Sequence, residues 1–155
     1  MQLSKQIEVK LDRIAKTIDD GYRLERFRSL AIPTLFNKEG RRIRLLFGGP
    51  AGFSISGFFF SSIFCTQMKD YSYFIIFAIV SFFGAIASSL GVPLISTLLD
   101  FGFWIAYGFY YPYLRFIHQE QKKENLSLTK ALIYSILLGF VAVIPAMLIA
   151  VMSGV

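Results

Sequence analysis

Residues 71–114 read YSYFIIFAIVSFFGAIASSLGVPLISTLLDFGFWIAYGFYYPYL, and these 44 residues hold a single formal charge, Asp100. As one helix rising about 1.5 Å per residue, the stretch would run on the order of 65 Å, about twice a bilayer's hydrocarbon thickness of roughly 30 Å. The chain must therefore fold back inside it. Ser88-Ser89-Leu90-Gly91-Val92-Pro93 is the place, because small residues, glycine and proline cluster there. That divides the stretch into spans near 72–90 and 93–114.

Working outward, Leu45–Met68 is also free of charge, and Lys69-Asp70 forms a short polar break before Tyr71. Ala131–Val155 is the last uncharged run. The expected fold is an all-α membrane protein with about four transmembrane helices, near 45–68, 72–90, 93–114 and 131–153. A 44-residue N-terminal segment, residues 1–44, precedes the transmembrane domain 45–155. Tyr71, Tyr73, Tyr110, Tyr111, Tyr113 and Tyr134 fall at span ends, where tyrosine favours the headgroup level. The loop after residue 114 fits less well. It carries Arg115, Lys122, Lys123 and Lys130, yet four spans put it outside, against the bias of basic residues to the cytoplasmic side. The alternative has three crossings. There 72–98 is one tilted span, 99–114 is re-entrant or interfacial, the basic loop is inside and the C-terminus outside.

Composition agrees with a membrane protein. The chain is 55% hydrophobic and 17% charged, where soluble domains run about 45–50% and about 25%. The net charge of +6 does not indicate nucleic-acid binding, because 11 of the 16 Lys and Arg lie in residues 1–44, mixed with six acids. That distribution describes the cytoplasmic flank of a multi-pass protein of a bacterial inner membrane or other plasma membrane, N-terminus inside. The start MQLSKQIEVKLDRIAK has no apolar run after its charges, so an internal segment is expected to drive insertion.

The N-terminal segment has its own pattern. Leu3, Ile7, Leu11, Ile14, Ile18 and Tyr22 recur every three or four residues and share one helical face. An amphipathic cytoplasmic helix is expected, with Ile7, Leu11, Ile14 and Ile18 docking on a partner or a second copy. In the last span Ala142, Ala146 and Ala150 form a small-residue stripe that lets helices approach closely.

Little here suggests catalysis. Cys65 is the only cysteine, which excludes an intrachain disulfide and a multi-cysteine zinc site; it reads as a small buried hydrophobe. His118, the only histidine, has no companion at metal-ligand spacing and reads as a solvated loop residue. Gly48-Gly49-Pro50-Ala51-Gly52 lacks the Gly-Lys-Ser/Thr that completes a phosphate loop. The serines of the spans have no base beside them in the sequence. No enzyme, cofactor or metal is therefore expected. A non-enzymatic interaction protein is, such as an accessory or assembly subunit of a secretion, transfer, immunity or exclusion complex. Its partners would be membrane lipid and other subunits or itself. Asp100 supplies the alternative. A carboxylate near mid-membrane costs about 2.5–3.5 kcal/mol on insertion scales, so it marks a possible proton or cation site of a small oligomeric channel or carrier.

Overall fold

The computed structural model describes residues 5–26 and 32–154; Leu3 of the apolar stripe lies outside them. Among the described residues five helices make the fold mostly helical, at 69%. The chain divides into two compact units, Met1–Ser61 with Ala106–Glu124, and Ser62–Ile105 with Asn125–Val155.

The first unit opens with α1, Lys5–Asp19, which buries Ile7, Leu11 and Ile14. Gly21, at φ +93°, closes the helix by donating its N–H to the Ile18 carbonyl at 2.8 Å, a left-handed conformation that suits glycine. Three short strands follow, β1 Arg23–Arg26, β2 Pro33–Phe36 and β3 Arg42–Ile43, in an antiparallel sheet of order β1-β2-β3. Arg23 lies opposite Phe36 and Arg26 opposite Pro33. The β2–β3 turn is Asn37-Lys38-Glu39-Gly40. The Asn37 side-chain oxygen accepts the N–H groups of Glu39 and Arg41 at 3.1 and 2.7 Å, and Gly40 takes φ +76°. The described fold is thus not all-α. The strands have two to four residues, too few for an alternating pattern to stand out.

Ile14, Leu35, Leu45, Ala51 and Tyr113 form the core of this unit, flanked by Ile18, Tyr22, Leu24, Ile43, Tyr110 and Phe116. Two expectations change here. The helix expected over 45–68 occupies only Ile55–Gln67, here α2, and is kinked at Phe60 (φ −120°, ψ 19°). Its 13 residues reach about 20 Å, short of a bilayer core of roughly 30 Å. The preceding glycines and Pro50 form turns instead, and Leu45 and Ala51 are uncharged because they are buried in protein. Second, the Tyr113 hydroxyl accepts the Ala51 N–H at 3.2 Å. Four spans would hold Leu45–Gly52 near one membrane face and Tyr113 at the other, so that arrangement does not fit this contact.

The second unit holds α3, Ser72–Ser89, and α5, Leu128–Ser153, which pack along each other, together with the first half of α4, Pro93–Glu120. Gly91 turns the chain between α3 and α4 at φ +82°, and the Val92 N–H reaches back to the Ala87 carbonyl at 3.0 Å. Gly84 lies against Ser96, and the rings of Tyr73 and Phe77 sit 5.1 and 5.5 Å from that of Phe103. Those pairings run α3 and α4 antiparallel. The Leu126 N–H donates to the Gln67 carbonyl at 2.9 Å, so α5 begins at the end of the unit where α3 begins.

Beyond residue 114 the expected loop is still helix. Its last turn buries His118, which is 6% exposed. Tyr110, Tyr113 or Leu114, and Ile117 continue the three-to-four-residue period, and that outweighs the polarity of the residues between them.

Candidate functional site

Two helices, α3 and α5, are long and apolar enough to cross a membrane. A soluble protein's core helix has similar composition but is buried. Here only 17% of the apolar window of α3 and 11% of that of α5 are. Ile75, Ile79, Phe83, Leu137, Phe140 and Met152 all stand exposed. An uninterrupted apolar surface of this kind is covered by lipid or by a partner. The residues that α5 does bury are small or weakly polar, Ala131, Ser135 and Ala142. The expected stripe therefore begins inside the chain, in the packing of α5 on α3. Ala146 and Ala150 are half-buried.

The face of α1 is also occupied from within. Ile14 is 0% exposed in the core with Leu35 and Tyr113, Ile7 and Leu11 are buried, and Ile18 packs at the edge of that core. A periodic apolar face states that something covers it, and does not distinguish the same chain from another one.

Asp100 lies in the first half of α4, half-buried, and forms no hydrogen bond or ion pair with any described residue. Ser96, one helical turn before it, lies against Gly84. Cys65 is buried. Among the described residues no three His, Cys, Asp or Glu side chains come together as a metal site.

The strongest local construction joins residues 51–57 to α1 and to the second half of α4. Pro112 has no N–H, which releases the Gly108 carbonyl from the helical ladder, and the Ser54 N–H takes it at 2.8 Å. A side chain at Gly108 would overlap the Phe53 ring, and one at Gly57 would meet Tyr111, so both glycines permit close approach. The Ser54 hydroxyl accepts the Gly57 N–H at 3.2 Å and caps α2. From the other side the Lys10 ammonium donates to the Ala51 and Phe53 carbonyls at 2.8 and 2.7 Å. Partial burial lowers the Lys10 pKa below its usual value, with the charge of Arg13 adding to the effect.

This bracing leaves an open groove of about 400 Å³ between α1 and the start of α2, with Lys5, Lys10, Arg13, Phe53, Ile55 and Ser56 among its lining residues. The sequence carried a sign of it. Lys5, Val9 and Arg13 recur every four residues, so they share a face of α1 beside the apolar stripe. No protein family matches this chain, and neither a curated protein nor a solved structure does.

Proposed function

We propose that the chain is a non-enzymatic, multi-pass membrane protein that acts by association, as an accessory or assembly subunit of a larger membrane complex. The exposed apolar surface of α3 and α5 carries this reading, because no described residue covers it. Three crossings are proposed: α3, the first part of α4 running back antiparallel to it, and α5. The 28 residues of α4 span about 42 Å, enough to cross and continue into the first unit, here called the basic unit. Arg115, Lys122 and Lys123 then share the cytoplasmic side with residues 5–26, which removes the charge conflict of four spans. Unlike the three-crossing alternative expected from sequence, this proposal takes α4 as a separate crossing rather than a re-entrant segment, because α3 ends at Ser89.

Purification of the native protein in mild detergent without crosslinker, followed by mass spectrometry, should recover a stoichiometric membrane partner or a homo-oligomer. Recovery as a lone monomer refutes the reading. Impermeant maleimide labelling of cysteines placed at 20 and 122, in a Cys65→Ser background, should mark both from the same side; opposite sides refute three crossings.

Asp100 supports a second reading, since a carboxyl with no partner among the described residues stands in a stretch otherwise free of charge. If the protein conducts protons or cations, Asp100→Asn abolishes a current measured after reconstitution and leaves assembly intact. For an interaction subunit there is no current to lose.

A further inference from the structure

We propose that the groove between α1 and the start of α2 seats the phosphate-bearing headgroup of an anionic phospholipid, with the first part of its acyl chains against the adjoining apolar residues. The inference rests on the membrane reading above and adds a specific site to it. The described lining residues include three cations, Lys5, Lys10 and Arg13, and no acid. Lys10 is committed to the carbonyls of Ala51 and Phe53. The head groups of Lys5 and Arg13 make no hydrogen bond or ion pair with any described residue, so two positive charges remain for a ligand. The Ser56 hydroxyl lies among them.

The rest of the lining selects the source of the anion. Val9, Phe53 and Ile55 are all exposed apolar side chains in the same groove, and Ile55 is 66% exposed. A soluble phosphate or nucleotide gives them nothing to cover. A lipid does, because its charged headgroup and its hydrocarbon meet at one boundary. Beyond Ile55, Phe59 and Phe60 continue the exposed apolar surface along α2. Basic residues beside the membrane are drawn to anionic lipid by about 1 kcal/mol each, on the order of five-fold in binding.

The test is native mass spectrometry of the full chain released from nanodiscs holding equal phosphatidylglycerol and phosphatidylcholine. Wild type should retain phosphatidylglycerol preferentially. Lys5→Gln/Arg13→Gln should lower that enrichment roughly five-fold or more. Lys122→Gln/Lys123→Gln, which removes two exposed charges outside the groove, should leave it unchanged. Equal retention by the Lys5/Arg13 variant overturns the proposal, as does an equal loss in the Lys122/Lys123 control, which indicates bulk charge. Displacement of the lipid by inorganic phosphate also overturns it, since the apolar wall would then contribute nothing. If the double variant lowers the melting temperature, each single variant is read in the same way. Resistance to alkaline extraction is scored separately. A chain that resists extraction yet shows no lipid preference refutes the groove alone, whereas a chain that is extracted refutes the membrane reading.

Discussion

Gly49→Ala and Tyr113→Phe should each destabilise the basic unit, and the pair should cost less than the sum. Tyr113 is 1% exposed and its hydroxyl accepts the Ala51 N–H at 3.2 Å. Removing the hydroxyl strands a buried backbone donor, at about 1–3 kcal/mol, and the length of this bond favours the lower end. A methyl on Gly49 would overlap that same hydroxyl. Gly49 is not among the left-handed glycines, so its backbone accepts alanine, and the lost freedom of the unfolded chain would stabilise by about 0.4–1 kcal/mol. Overpacking costs about 1–3 kcal/mol, which leaves the single variant destabilised by roughly 0.5–2 kcal/mol. With phenylalanine at 113 the overlap is gone, and the nearest remaining atoms are the ring carbon and the Leu45 carbonyl oxygen, each at 3.2 Å. The favourable coupling should reach about 1–2 kcal/mol, well above the roughly 0.5 kcal/mol expected from independent sites. Proteolysis across a denaturant series, scoring cleavage within residues 1–61 of the full chain in mild detergent, measures all four corners of the cycle. Additivity within about 0.5 kcal/mol refutes the placement of Tyr113 against Gly49.

Ile14→Asp should unfold the basic unit by burying an uncompensated carboxylate, a loss of more than about 4 kcal/mol; a fully folded variant that only loses a partner would return this face to the role of a docking surface. Ala142→Leu should weaken the packing of α5 on α3 by about 1–3 kcal/mol. Gly102→Ala, whose new methyl meets open space, should instead gain about 0.5–1 kcal/mol, both read by detergent unfolding. Lys10 gives a pH signature. With its folded pKa below the unfolded 10.5, the folded form releases its proton first, so stability rises as pH climbs from the folded value to 10.5 and the gain is lost as pH falls back. Lys10→Met should flatten that part of the stability profile relative to wild type, and an unchanged slope would remove Lys10 as its source.

Charge-free length made α3 and α5 legible, and the glycine and proline near residue 91 located the turn between α3 and α4. The same criterion misread 45–54, because a missing charge signals burial without naming the medium. Leu45 and Ala51 are buried in a protein core, and Gly48-Gly49-Pro50 was the local sign that no helix runs through them. The strands were hidden for another reason. Arg23–Arg26 carries three charges in four residues, and its pairing with Pro33–Phe36 is a tertiary fact that periodicity does not contain. The polarity of its neighbours points His118 to a loop, although the apolar period of α4 runs up to Ile117 beside it. Both candidate docking faces are expected from sequence to meet a partner or a second copy, whereas Ile7, Leu11, Ile14 and Ala142 are buried within the chain. The cover for the first of them comes largely from residues 35–51 and 113, remote in sequence from α1.

That remoteness has a consequence for biogenesis. Translation delivers Ile14, Leu35 and Leu45 long before Tyr113, and all of α3 is made in between. Under the three crossings proposed above, the first unit stays unfinished until the hairpin of α3 and α4 has been inserted and its second arm has come back. In that topology, a nascent chain that threads one crossing too few or too many leaves Tyr113 on the far side and the N-terminal core without it. In the same topology, completion of this core would act as a checkpoint on membrane insertion, rewarding the chain that has crossed an even number of times before Tyr113.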